Sequence, residues 1–259
     1  MITASVGFQC PECAKAGAKQ SRTIRYSPGT GAAGVPVVTY ALIAINVAVY
    51  LIGVAASSGT SVMDLAGSFD AKYSLFTPYV GNGQWYRIVT GGFMHAGILH
   101  LAMNMWALYI LGPQLEALLG RARYLLIYAA SLLGGGLGVV LLYSQGQGAT
   151  VGASGAIFGL LGAFVAVHLA VGQNPLRTGI GQLIGLNLLI TFLIPGISIG
   201  GHIGGLVSGL VVTYVLVAGR PVRDQSHGEQ IARGTAVAVL GLAFLGLAIA
   251  VAQARWGLA

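Results

Sequence analysis

Seven apolar runs dominate the chain, at roughly 37–56, 95–113, 123–143, 151–171, 180–195, 199–218 and 234–253. Crossing about 30 Å of hydrocarbon takes about 20 helical residues, and each run reaches or approaches that length. The fifth is the shortest and stops at Pro195. Inside lipid no water satisfies backbone N–H and C=O groups, so such runs are expected to fold as helices. Charged residues make up only 7% of the chain, against about 25% in an ordinary soluble domain. So few charges cannot cover a water-facing surface. The expected fold class is all-α: a polytopic transmembrane helical bundle of about seven spans, embedded in the lipid bilayer.

The formal charge of +7 does not point to nucleic acid. The basic residues fall in short polar gaps between the apolar runs, and no basic stripe with interleaved aromatics is present. Their distribution instead sets an orientation. With the N-terminus inside, ten basic residues are cytoplasmic: Lys15, Lys19, Arg22, Arg25, Arg121, Arg123, Arg177, Arg220, Arg223 and Arg233. Three lie outside: Lys72, Arg87 and Arg255. The expectation is a cytoplasmic N-terminus, an odd number of spans and an external C-terminus. The first 35 residues are polar and contain no apolar core of a signal peptide. They do contain Cys10 and Cys13, spaced like half of a zinc site with no second pair downstream. The pair is either reduced and unstructured or part of a truncated zinc ribbon, and no other cofactor is expected. The one long gap, Ser57 to Met94, carries the turn formers Pro78, Gly81, Asn82 and Gly83, with Trp85 and Tyr86 placed like an interfacial belt.

Polar side chains in a hydrocarbon-spanning helix are costly, so each suggests a task. His95, His100 and Asn104 fall in the second run, Ser154 and His168 in the fourth, and His202 in the sixth. Runs two, four and six share a direction. Ser154, His202, His95, His100 and Asn104 all lie in the early turns and are expected to share a depth near the outer leaflet. His168 is fourteen residues past Ser154, about 21 Å along a helix, and is read as structural. A serine hydroxyl becomes a nucleophile when a base takes its proton, and histidine is the usual base. Gly152-Ala153-Ser154-Gly155 has a Gly-x-Ser-Gly form, which alone is often mere helix packing. The acidic residues are Glu12, Asp64, Asp70, Glu116, Asp224 and Glu229, and none falls between 117 and 223. A Ser-His-Asp triad is thereby nearly excluded, and catalysis would use a Ser-His dyad. His100 and Asn104, spaced i, i+4, share a helix face and are candidate oxyanion donors, with backbone N–H groups at the start of run four. They are equally read as bonding neighbouring helices. His95, about 140° around the same helix, is expected to fix packing. Gly155, Gly159 and Gly162 in run four and Gly201, Gly205 and Gly209 in run six line one face each, which predicts that these helices press together.

From about Trp85 to Leu210 the sequence resembles the rhomboid intramembrane serine proteases. The resemblance rests on His95-x4-His100-x3-Asn104, Glu116-x3-Gly120, Gly152-x-Ser154-Gly155, and Gly201-His202-x-x-Gly205-x3-Gly209, in which Gly201 stands where the family has alanine. It implies Ser154 as nucleophile and His202 as base. His100, Asn104 and the backbone at Gly152 and Ser154 would hold the oxyanion. Phe158 would pack on the histidine, and His95, Gly205 and Gly209 would support the site. The family's Trp-Arg is split here by Tyr86, which leaves Tyr86 in the tryptophan position before Arg87. The implied organisation is a cytoplasmic tail (1–36), a six-helix core (37–218), and a loop with an added C-terminal helix (219–259). The implied partners are transmembrane protein substrates, cut near the outer leaflet of, by analogy, a bacterial plasma membrane. An inactive rhomboid-like protein that binds membrane clients, and a small transporter, are the alternatives. The first would be expected to lack a dyad residue. The second would need a polar path to the cytoplasmic side, where His168 is nearly alone.

Overall fold

The computed structural model describes residues 2–3, 8–12, 35–56, 68–145, 147–219 and 222–257. Cys13, Asp64 and the basic residues of the tail lie outside these. Cys10 is exposed, just after a two-residue strand pair, Ile2–Thr3 with Phe8–Gln9. Among the described residues the architecture is otherwise helical. Seven helices carry it: α1 (Val37–Ala56), α2 (Ile98–Leu119), α3 (Arg121–Leu142), α4 (Ser154–Ala170), α5 (Gly179–Leu193), α6 (Ile199–Val217) and α7 (His227–Trp256). The chain is an integral membrane helical bundle. Helices α1, α3, α6 and α7 are each long and apolar enough to span a membrane, and α2 joins them when taken with the segment it bends from. Helices α4 and α5 are shorter, at 17 and 15 residues.

Three of the boundaries that differ from expectation have a clear local reason. Helix α2 begins at Ile98, not 95, because the chain turns by 91° between Arg87–Phe93 and Ile98–Leu119. It also continues past Pro113 to Leu119. Proline removes one N–H and the helix resumes beyond it; the stop comes at Gly120, whose φ of 84° no other residue adopts comfortably. Helix α7 begins seven residues before its apolar run. Ser226 accepts from the Glu229 N–H at 3.2 Å while Glu229 accepts from the Ser226 N–H at 2.8 Å, a reciprocal cap that starts the helix in polar sequence. Hydropathy marks where a helix meets lipid, not where it begins.

Helix α6 sits at the centre, between α3 and α4. Both faces are stripped of side chains. A Cβ on Gly205 would strike the Gly155 carbonyl, and one on Gly209 the Gly159 backbone. On the other side Gly200 and Gly204 lie against Gly138 and Gly134 of α3. The expected pressing of α4 on α6 is present. The matching run on α3 (Gly134, Gly135, Gly136, Gly138) was not singled out in the sequence, although four glycines in five residues of an apolar helix announce it.

From residue 68 onward, the gap between α1 and α2 is folded. It holds three short helices (Ser68–Tyr73, Thr77–Gly81 and Arg87–Thr90) around a buried Arg87. The Arg87 guanidinium donates to the Ala71 and Ser74 carbonyls at 2.8 and 2.9 Å and to Gln84 Oε1 at 2.7 Å. It also lies over the Tyr79 ring at 4.7 Å and the Tyr86 ring at 5.9 Å, while Trp85 is exposed. At the opposite end Glu116 is buried. Its carboxylate accepts from the N–H groups of Val38 and Thr39 at 3.0 and 2.9 Å and from the Thr39 hydroxyl at 2.8 Å. A carboxylate there satisfies the unbonded donors at the start of α1 and faces its positive end.

Candidate active site

The approach to Ser154 is held in place before the helix begins. Thr150 and Leu75 exchange backbone hydrogen bonds at 3.0 and 2.8 Å, and the Gly152 N–H donates to the Gly91 carbonyl at 3.0 Å. Gly152 then turns the chain at φ 121°. Ala153 is the N-cap of α4 and offers no side-chain cap, so the first N–H groups of α4, beginning with Ser154, have no partner within the helix. Across the glycine contact, α6 starts at Ser198, whose hydroxyl accepts from the Gly201 N–H at 3.1 Å. His202 follows in the first turn. Because Gly155 and Gly205 carry no side chains, the backbones approach until Ser154 Oγ lies 2.8 Å from His202 Nε2. Phe158, one turn after Ser154, stacks on the imidazole with ring centroids 3.9 Å apart and planes 17° apart.

His100 stands on the other side of Ser154. The point where a Cβ of Gly152 would sit is 2.8 Å from His100 Nε2 and 3.7 Å from Ser154 Oγ. The glycine thus opens a space with the serine oxygen on one side and an imidazole nitrogen on the other. The Asn104 amide donates to the His100 carbonyl at 2.9 Å. His100, Asn104, Ser154 and His202 line one cavity of about 590 Å³, walled further by Met103 and Trp106 of α2 and by Leu183 and Asn187 of α5. The starts of α2, α4 and α6 are therefore together at one end of the bundle.

Two expectations need correction. His95 is not on a face of α2. It precedes the helix, buried in the turn, with Nδ1 3.3 Å from the Phe93 carbonyl and its ring edge-on to His100 at 5.2 Å between centroids. A helical wheel drawn through 95–104 fails because the bend at Ala96-Gly97 intervenes. Gly152 was expected among the oxyanion donors, but its N–H is engaged by Gly91, and what it gives the site is clearance beside His100. Glu116 is at the opposite end, and His168 bonds its own helix, with Nδ1 2.7 Å from the Phe164 carbonyl. One residue escaped sequence reading altogether. Thr191 of α5 is buried, with Oγ1 2.7 Å from His202 Nδ1 and 2.7 Å from the Asn187 carbonyl. Its signal was a hydroxyl four residues after an asparagine in an otherwise apolar helix.

Comparison with known proteins bears on the same stretch. A family model described as Rhomboid domain matches residues 82–219, which include His100, Asn104, Ser154, Thr191 and His202 and leave α1 and α7 outside. Rhomboid protease GluP of Bacillus subtilis (strain 168) is 34% identical over 161 residues, 62% of this chain and 29% of GluP. Rhomboid-type serine protease 2 of Emericella nidulans is 33% identical over 126 residues, 44% of this chain and 24% of that protein. RHOMBOID-like protein 5 of Arabidopsis thaliana is 44% identical over 87 residues, 34% of this chain and 28% of its own length. The matched stretch thus spans less than a third of each of these relatives.

Proposed function

Because the chain belongs to the rhomboid family, we propose that it is an intramembrane serine endopeptidase in which Ser154 attacks the peptide bond and His202 is the base. The observation that carries the reading is the 2.8 Å approach of Ser154 Oγ to His202 Nε2. The hydroxyl adds to the scissile carbonyl as its proton passes to Nε2. The carbonyl oxygen becomes an anion in the space beside Gly152, where His100 Nε2, the Ser154 N–H and the positive end of α4 face it. Asn104 joins them by turning its amide from the His100 carbonyl. The C–N bond then breaks, His202 returns the proton to the leaving amine, and an acyl-Ser154 ester remains. A water molecule, its proton taken by His202, releases the carboxylate product and restores the serine. No cofactor enters these steps.

The substrates are transmembrane segments of other proteins. A helix buries its own carbonyls in hydrogen bonds, so the scissile segment must unwind to reach Ser154. In this reading α1–α6 form the catalytic core, residues 37–218, and α7 in the segment 219–259 braces it. The basic-residue distribution supports a cytoplasmic N-terminus, with the starts of α2, α4 and α6 toward the outer leaflet, and by analogy the membrane is a bacterial plasma membrane. Incubating the detergent-solubilised protein with a fluorophosphonate and mapping the adduct tests the assignment. A single adduct on Ser154, absent in His202→Ala, is expected. Solute uptake by reconstituted protein with no adduct would overturn it in favour of transport.

A further inference from the structure

We propose that Thr191 is a positioning residue that sets the tautomer of His202, the part taken by a buried carboxylate in a Ser-His-Asp triad. The inference rests on the assignment of Ser154 and His202 above. Thr191 Oγ1 is 2.7 Å from the Asn187 carbonyl oxygen and 2.7 Å from His202 Nδ1. A hydroxyl has one proton and a carbonyl only accepts, so the hydroxyl donates to Asn187. The hydrogen between Thr191 and His202 must then come from Nδ1. A neutral imidazole has a single N–H, which leaves Nε2 bare 2.8 Å from Ser154 Oγ, able to receive the serine proton. The opposite arrangement would set the Thr191 and Asn187 oxygen lone pairs against each other. It would also turn an Nε2–H toward Ser154, and the base would already be occupied.

Nothing else at the site makes this choice. Phe158 stacks on the ring face and fixes its plane, but a ring turned over by 180° would stack equally well. No acidic residue lies between Glu116 and Asp224 in sequence, and Glu116 caps the start of α1 at the far end of the bundle. The position of Thr191 is itself specific: it is the one buried residue of α5, at 2% exposure, on a helix otherwise lightly packed. When Nε2 takes the proton, the imidazolium keeps an oxygen at Nδ1 that cannot turn away, because its own proton is tied to the helix.

The test uses the full-length protein with Thr191→Val, which keeps the shape and removes the hydroxyl, and Thr191→Ser, which keeps the hydroxyl. Both are measured for the rate of fluorophosphonate inactivation and for kcat and KM on a single-span substrate in proteoliposomes, with thermal unfolding in parallel. One lost neutral hydrogen bond at a base predicts a fall in inactivation rate and kcat of about 10- to 100-fold for Thr191→Val. KM should stay within about twofold, and Thr191→Ser should recover to within about threefold of wild type. A Thr191→Val protein as fast as wild type, or a Thr191→Ser protein as slow as Thr191→Val, would overturn the inference and leave the proteolytic reading standing. A wild-type protein that neither labels nor cleaves would overturn both. A second measurement needs no variant at Thr191. Nitrogen NMR of the ring, assigned by its loss in His202→Gln, should show a protonated Nδ1 and a bare Nε2, and the reverse tautomer would overturn the inference.

Discussion

At Gly152 the chain adopts φ 121°, and the atom it lacks is the one that would fill the space between His100 and Ser154. A methyl there would stand 2.8 Å from His100 Nε2, and the backbone strain alone costs about 1–3 kcal/mol. Gly152→Ala should therefore lower the initial cleavage rate by at least about 10-fold while the protein still folds, since His100 has to move. Cleavage assayed beside thermal unfolding checks this, and a folded variant cutting at the wild-type rate would contradict it. Residues at this scale were legible where spacing alone decides position. His100 and Asn104 read correctly as neighbours because one unbroken helix carries both. His95 misread because periodicity assumes a straight helix, and a 91° turn lies in the way. Thr191 showed only as a hydroxyl four residues after Asn187, and that spacing does not say what it touches. Its role at His202 depends on α5 lying beside α6, a tertiary fact that local spacing does not reveal.

Helices α3, α6 and α4 form a layer in which glycine meets glycine on both faces of α6. Without a hydrophobic force between helices in lipid, such close backbone contact is what holds them. Not every glycine on α6 carries equal weight. A Cβ on Gly201 would meet Ser198 and Val139 side-chain atoms at 3.1–3.4 Å, whereas one on Gly209 would collide with the Gly159 backbone. Overpacking against side chains that can shift is tolerated, and overpacking against backbone costs about 1–3 kcal/mol or more. Gly209→Ala should lower the thermal midpoint clearly and Gly201→Ala only slightly; equal losses would contradict the packing described here. The seven helices themselves were legible from apolar runs alone, because lipid forces any such run to close its own hydrogen bonds. Their ends were less so, since caps such as Ser226 with Glu229 obey chemistry that hydropathy ignores.

Across the whole bundle, α7 is fastened at both ends. Arg233 donates to the Val215 and Ala218 carbonyls at 3.0 and 2.9 Å, closing the end of α6. Arg255 donates to the Leu141 carbonyl at 3.1 Å, closing the end of α3, and lies over the Trp256 ring at 4.4 Å. Trp256 in turn meets Tyr143 and, through it, Phe76 beside the Leu75–Thr150 pairing that leads to Ser154. A reporter fused after Ala259 should read external and one inserted between α6 and α7, within 222–226, cytoplasmic, and the reverse at either site would refute the orientation drawn from the basic residues. In the proposed function, the meeting of Ser154 and His202 is what cuts membrane-spanning peptides. The direct measurement is the initial cleavage rate of one single-span substrate in proteoliposomes by wild type and by Ser154→Ala, with thermal unfolding of both. Cleavage by wild type and only background from a folded Ser154→Ala are expected; robust cleavage by that folded variant would overturn Ser154 as the nucleophile.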